Sequence, residues 1–513
     1  MRRRRLLASL SSLAGATALA GCSGRLAEES GGTTRTATTS RKTTKAAATT
    51  DPDSAETTDD PETTAADGDS EWPPRASVVE LETGDRTLAL NPTSYRSDDG
   101  ASVSVAFAAT ATPDRPAQVR ATLTNENDYD NTFRLNETPP FAEVNDARLR
   151  DRRGLTYRSN WYLVPTENHE LVNEEPNYRR GPAGYWRLAD RTVAPQLPPT
   201  VRLAPGETVE GEYVLLGQAE GEGRPTGSYE FRGYDDSSVT ITAWTTSAPG
   251  PETESRFEGA SPPALSEGME AGTRWYHDAG PETPVYLEPS AERGRLPERI
   301  DFTLRNRADE PVTGNPYHWV LYKLHDGEWF HVAPWGWPAP MSSVPPGDTE
   351  DWTLYAFGSE AVDVDDGNTV GFLGGGRYAF EVGMSRGKHS HAALFELTGP
   401  SVAVEPTPGV ESSRDGDTVT VNAPDPEHEW RPATLTVTRA ANADDRLVAE
   451  QVMQRRFSAL RDALALFESG VETVVVKTTR NAASRVVGYD RKRRRFRFDG
   501  QAYEATMTVA SEE

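Results

Sequence analysis

From Ala76 onward, short runs alternate apolar with polar residues and are broken by Pro, Gly, Asn and Asp. Ser102 to Ala108, Gln118 to Thr124, Thr208 to Leu215, Ser228 to Phe231 and Val239 to Trp244 all keep this period of two. Half-buried antiparallel strands require it, because successive side chains point to opposite faces of a sheet. Up to the Pro-rich hinge Glu405-Pro406-Thr407-Pro408-Gly409 the pattern reads as all-β. Beyond the hinge it changes. Asp417 to Asn422 and Ala433 to Thr438 read as a strand pair, and Ala441 to Phe467 as one amphipathic helix. Ala449, Met453, Phe457, Leu460, Leu464 and Phe467 fall three or four apart in that segment, and Gly470 is its natural stop. Thr473 to Thr478, Arg485 to Tyr489, Arg494 to Phe498 and Tyr503 to Val509 then read as strands, so a helix lying across an antiparallel sheet, α+β, is predicted for 410–513.

The first residues follow neither period. Arg2 to Arg5 precede a weakly apolar stretch from Leu6 to Ala20, which ends in Leu19-Ala20-Gly21-Cys22. A basic start, a short apolar segment and small residues before a cleavage point form an export signal, here 1–21. Leu-Ala-Gly-Cys resembles the lipobox of prokaryotic lipoproteins, and that resemblance implies a diacylglyceryl group on the Cys22 thiol at the mature N-terminus. Adjacent arginines followed by Leu6-Leu7 resemble a twin-arginine signal, without the usual polar residue before the pair or the lysine after it. A membrane span is disfavoured, since about 18 strongly apolar residues are needed and this stretch is rich in Ala, Ser and Gly. The expected location is the outer face of the cytoplasmic membrane, extracellular and lipid-anchored.

Residues 22–75 are Thr, Ala, Ser, Glu and Asp, with almost no larger aliphatic side chain. Such a segment cannot bury enough apolar surface to fold, and reads as a disordered stalk with a root-mean-square reach of about 40 Å. Its threonines suit either O-linked sugars or a plain spacer.

The β region contains an internal repeat. Val119-Arg120-Ala121-Thr122-Leu123-Thr124-Asn125 is echoed by Ile300-Asp301-Phe302-Thr303-Leu304-Arg305-Asn306, each a strand ending in a turn Asn. Leu203-Ala204-Pro205-Gly206-Glu207-Thr208 is echoed by Val344-Pro345-Pro346-Gly347-Asp348-Thr349, and Gly227-Ser228-Tyr229-Glu230-Phe231 by Gly376-Arg377-Tyr378-Ala379-Phe380. A last strand follows in each, Val239 to Trp244 and Ala393 to Leu397. Landmarks in the same order mark two copies of one module, 76–250 and 272–405. The first copy carries an excursion, Tyr129 to Asp190, expected to hold little regular structure. This order of strand, Asn turn, Trp-rich middle, Pro-Gly turn and Gly-x-Tyr strand resembles bacterial immunoglobulin-like domains, including the proteinase-inhibitor type. The resemblance implies sandwich folds and, in one reading, proteinase inhibition. The expected fold is mainly β: two tandem immunoglobulin-like β-sandwiches and a C-terminal α+β domain behind a disordered stalk.

Composition adds compartment and partners. Cys22 is the only cysteine, so no disulfide within the chain is possible. The formal net charge is −25, and only six of the 54 basic residues are Lys. A surface rich in Asp and Glu and poor in Lys resembles exported proteins of extreme halophilic archaea. Molar salt screens its self-repulsion to about 3 Å. Such charge argues against nucleic acid as a partner. The partners expected instead are the membrane, through the lipid, and surface-layer or other envelope proteins.

Several residues are candidates for chemistry. Trp319, Trp329, Trp335, Trp337 and Trp352 crowd the second module and are read either as sugar-stacking rings or as core and loop packing. His318, His325, His331, His389 and His391 lie in the same module. A metal site would join His389 and His391 to His325 or His331, although the spacing matches no zinc motif and solvated loop histidines are the competing reading. Arg491, Lys492, Arg493, Arg494 and Arg495 form the one dense basic run after the signal, expected at a hairpin tip. It would dock on an anionic surface or lie against the chain's own acids. Asp363, Asp365, Asp366 and Asn368 do not alternate as a calcium loop requires and read as a turn. Asn136-Glu137-Thr138 is a glycosylation sequon. No cofactor is expected. No Gly-x-Ser-x-Gly, His-Glu-x-x-His or phosphate-binding glycine loop occurs, so no nucleophile and base are nominated. The leading expectation is a non-catalytic binding or structural component of a cell envelope, and the alternative is carbohydrate or solute recognition through the Trp-rich second module.

Overall fold

A computed structural model describes residues 77–509, except 143–144, 151–155, 221–224, 235–236, 266–271, 387–388 and 423–431. Cys22, the arginines before it and the Thr-rich segment lie outside the described residues. The rest is strand-rich and organised around three main apolar cores, the first two inside β-sandwiches.

In the first module the ladder runs through Thr87–Asn91, Ser238–Trp244, Gly227–Arg232, Asn145–Arg150, Thr156–Pro165, Thr208–Gly217, Gln118–Asn125 and Ala101–Ala109. Leu88, Leu90 and Ile241 near one end share a core with Val103, Val105 and Leu123 near the other, so the sheet folds over on itself. The second module keeps two separate sheets. Thr273–Trp275, His389–Thr398, Gly376–Arg386, Val312–His325 and Glu328–Ala333 form one, and Val285–Pro289, Glu298–Asn306, Thr349–Ala356 and Asn368–Val370 the other. Between them Phe302 stacks on Phe380 with ring centroids 4.1 Å apart.

The excursion in the first module differs from expectation. It contains Asn131–Arg134, Asn145–Arg150, Thr156–Pro165, Tyr178–Arg180 and Trp186–Leu188, and two of these are central strands. Asn145–Arg150 pairs with Gly227–Arg232 as Val312–His325 pairs with Gly376–Arg386 in the second module. The excursion is therefore partly the module's own middle hairpin. Its second strand, Thr156–Pro165, also pairs with Thr208–Gly217 and bridges what remain two sheets in the other copy. The charged run Asp146-Ala147-Arg148-Leu149-Arg150 hides the strand at sequence level, and pairing on both sides makes it one.

Each repeat is pinned by its Asn, and both Asn residues are fully buried. Asn125 Nδ2 donates to the carbonyls of Tyr129 (2.9 Å) and Leu203 (3.0 Å), and its Oδ1 accepts from the Asn127 amide (3.0 Å). Asn306 repeats this with Glu310 (2.9 Å), Val344 (2.9 Å) and the Ala308 amide (3.1 Å). The Pro-Gly turns close the same knot, Gly206 N–H donating to Asn125 O and Gly347 N–H to Asn306 O. Both glycines sit in the left-handed region, φ 72° and 79°, where a side chain would strain the backbone.

The C-terminal sheet runs in the order Glu411–Asp415, Thr418–Asn422, Thr473–Thr479, Pro432–Ala440, Gln501–Val509, Arg493–Phe498, Asp445–Arg446. Helices on it bury Phe457, Leu460, Ala463, Ala483, Val486 and Val487 in its core. The predicted single helix is broken into Ala449–Val452, a 3-10 turn Arg455–Phe457 and Ser458–Leu464. Gln454 is extended between the pieces (ψ 146°), and its amide reaches the Gly371 carbonyl (3.0 Å) of the second sandwich. The apolar stripe survives because each piece still buries its share. Arg485 to Tyr489, predicted as a strand, belongs mostly to the helix Arg480–Val487. Thr479 caps it by accepting from the Ala482 amide, and Ala483, Val486 and Val487 recur at helical spacing towards the sheet. The basic run is not a hairpin tip, since that hairpin turns at Asp499-Gly500 and Arg493–Arg495 already lie in a strand.

Neighbouring modules are locked together. Asn91 Nδ2 donates to Pro346 O (2.5 Å), and Arg307 Nη1 donates to the carbonyls of Pro249 (2.9 Å) and Gly250 (3.0 Å). Lys323 Nζ, inside the second sandwich, meets Glu450 Oε1 of the C-terminal domain at 3.0 Å, with both side chains buried. No helix among the described residues is long and apolar enough to cross a membrane.

Candidate binding site

Pro316 interrupts the strand Val312–His325 and lacks the N–H that a ladder needs. Pairing with Gly376–Arg386 accordingly slips between Gly314 and Trp319, so that Asn315 to His318 bulge out. The bulge carries Tyr317, 57% exposed, to the rim of a groove of about 610 Å³. Trp319, Trp352 and Tyr355 wall the groove, and Arg299, Glu350, Asp351, Asp366 and Asn368 supply polar groups. Trp352 is fixed by its Nε1–H to Pro316 O (2.6 Å), Arg299 by Asp301 (3.0 Å), and Asp351 by the Thr303 hydroxyl (2.5 Å). Burial raises the pKa of Glu350, and the neighbouring carboxylates Asp351 and Asp348 add to the shift. Aromatic walls around convergent carboxylates, an amide and a guanidinium suit a ligand rich in hydroxyls or carrying positive charge.

The tryptophans do not form one platform. Trp319 is core and stacks on Phe380 at 5.5 Å, Trp329 stacks on Trp275 at 6.0 Å, and Trp337 lies on His318 at 4.0 Å. Trp335 has His331 parallel to it at 4.2 Å and the Arg456 guanidinium over its ring at 4.6 Å. Only Trp319 and Trp352 line the groove, and the sequence reading missed Tyr317 and Tyr355. Its one available signal was the Pro inside a strand pattern.

The histidines are not assembled for a metal either. Among the described residues no group of three or more His, Cys, Asp or Glu is placed to hold one. His325 pairs with Asp326 at 3.6 Å, and His331 Nε2 meets Pro334 O at 2.6 Å. His391 is fully buried, and its ring nitrogens meet no hydrogen-bond partner among the described residues. Desolvation, helped by Arg274 and His389, lowers the His391 pKa to about 3. Desolvation also lowers His169 to about 4, where its Nε2 faces Tyr213 Oη (2.9 Å) and its Nδ1 accepts from the Leu171 amide. Both rings must fold neutral. The unfolded chain therefore binds protons that the native one refuses, and stability should fall as pH drops through about 6.5 and onward to the folded values. Urea midpoints measured between pH 8 and pH 4 should show that decline, and His391→Leu should make it shallower, leaving the part due to His169.

Of the basic run, Arg494 binds Asp445 (2.8 Å) and Arg495 binds Glu504 (2.6 Å), while Arg493 is 4.0 Å from Glu504. Asp366 and Asn368 flank Gly367 on the groove, where Asn368 begins a strand. Asn136 lies in a 3-10 turn, and the hydroxyl of its sequon Thr138 is buried, donating to Arg134 O (3.1 Å).

No protein-family profile and no curated protein matches the sequence. Among solved structures the chain is similar to a polysaccharide lyase, with TM-score 0.12 and 11% identity over 63% of this chain and 37% of that one. It is also similar to native Escherichia coli alpha-2-macroglobulin, with TM-score 0.14 and 9% identity over 85% and 23% of the two chains. The trypsin-activated form gives TM-score 0.12 and 8% identity over 63% and 20%. The chain thus spans well under half the length of each.

Proposed function

We propose that this chain is a lipid-anchored, non-catalytic binding protein of the cell envelope, held by Cys22 and meeting its ligand at the groove of the second sandwich. The observation that supports a binding role is the groove itself: a rigid sandwich face with an exposed Tyr317 on a proline bulge and fixed polar groups beneath it. Carbohydrate is the ligand class favoured there, because carboxylates and an amide accept and donate to hydroxyls while tyrosine rings cover the apolar face of a sugar. Two measurements test the two halves of the reading. Cys22→Ser should move the protein from the membrane fraction to the soluble one, and retention through a high-salt wash would overturn the lipid anchor. On an oligosaccharide array in high salt, Tyr317→Ala should weaken binding about tenfold. Binding unchanged by Tyr317→Ala, or no oligosaccharide bound at all, would remove the groove as a saccharide site.

A further inference from the structure

Where the C-terminal domain meets the second sandwich, a second concavity of about 250 Å³ opens. Its wall brings Trp335 together with Arg456, Arg485, Arg491 and Arg494, with Asp445 as the one acid among the lining residues. Four guanidiniums thus converge in a chain whose net charge is −25. Arg494 is committed to Asp445 and to the Val486 carbonyl (3.2 Å), which closes the C-terminal end of the Arg480–Val487 helix. The other three form no ion pair with an acid among the described residues. The Arg456 guanidinium carbon lies over the Trp335 indole, 4.6 Å from the ring centroid, and its Nε is buried with no hydrogen-bond partner among the described residues. Burial disfavours the Arg456 cation, and repulsion from Arg485 and Arg494 adds to this while Tyr489 opposes it. Like charges held this close cost stability unless an anion joins them.

We propose that this pocket is a binding site for a compact oxyanion, the carboxylate, sulfate or phosphate group of a small ligand, gripped by Arg456, Arg485 and Arg491. Planar guanidinium forks match such oxygens in pairs, which Lys does not, and the pocket holds one such group with few further atoms. Selection is by charge and not by ring stacking, since His331 and Arg456 already pack against the Trp335 indole. A concave site lined by several guanidiniums fits a single group better than the plane of a lipid surface.

The site is separate from the groove, so each reading can fail alone. The detergent-solubilised full chain would be titrated calorimetrically with sodium sulfate, phosphate and glucuronate at fixed high chloride, where exposed arginines alone bind little. Saturable binding of at least one anion is expected. Arg485→Gln and Arg491→Gln should each weaken it about tenfold without lowering the ligand-free melting temperature, which Arg485→Gln should raise by removing a charge that repels Arg456, and Arg456→Gln should weaken binding further. The three anions distinguish the ligand's own group, since a carboxylate site prefers glucuronate and a tetrahedral site prefers sulfate or phosphate. No saturable binding, affinity unchanged in the Arg485 and Arg491 variants, or binding only to anionic phosphatidylglycerol vesicles through these arginines would overturn the proposal.

Discussion

Lys323→Met should destabilise the joined second sandwich and C-terminal domain by about 3–5 kcal/mol, because it leaves the Glu450 carboxylate buried and unpaired. Lys323 Nζ holds that carboxylate at 3.0 Å while donating to Gly375 O (2.6 Å) and Tyr378 Oη (3.1 Å). Tyr378 Oη in turn donates to Gly374 O (2.7 Å), and burial, reinforced by Glu450, raises the Tyr378 pKa well above its ordinary value. The network ties the edge of the sandwich to the first helical turn after Val448, whose Gln451 amide also donates to His331 O (2.9 Å). Urea unfolding would measure the loss. Its mechanism is checked by Lys323→Met combined with Glu450→Leu, which should recover most of the stability, since apolar pairs commonly replace buried ion pairs without loss. If the double variant is as unstable as the single one, the cost lies in packing and not in the stranded charge. The hinge around Glu405–Gly409 should become the first site of proteolysis in Lys323→Met.

Asn306→Ala should cost about 2–4 kcal/mol, and Asn125→Ala a similar amount, because each deletion empties a fully buried amide site and strands a buried carbonyl, Val344 O in one copy and Leu203 O in the other. Asn306→Asp separates shape from hydrogen bonding. It keeps the acceptor for the Ala308 amide but turns a carboxylate oxygen towards Glu310 O and Val344 O, so it should be at least as damaging as Ala. Thermal unfolding of the two Asn306 variants decides this. An Asp variant as stable as the native chain would show that the amide donors matter little.

These two pins show how far the repeat was legible. The sequence places an Asn at the end of equivalent strands and a Pro-Gly turn later in each copy, which suffices to align the modules. It does not show that Asn and turn are one knot, because the partners lie 78 residues apart in one copy and 38 in the other. Lys323 left a fainter trace. It is one of only six lysines and sits within Val320-Leu321-Tyr322-Lys323-Leu324, an apolar run where a solvated charge has no place. Its partner is 127 residues away, so the pairing was not readable.

Local patterning did determine the β character, because a period of two has one physical use in a half-buried sheet. It determined the repeat as well, and the change to a mixed domain beyond the hinge. Where an element's identity depended on neighbours, it failed. Asn145–Arg150 is a strand because ladders flank it on both sides, and Arg480–Val487 is a helix because its Ala and Val face packs on a sheet, although Val-Val alone favours a strand. The candidate sites divide in the same way. Sequence collected tryptophans, histidines and arginines by proximity along the chain, whereas folding sorts them by face. Trp335 joins arginines that follow it by more than a hundred positions, and Tyr317 reaches a groove floored by Glu350 and Asp351. Periodicity is a property of neighbouring residues and survives in any fold, while a site is a property of which faces meet, and only tertiary packing sets that.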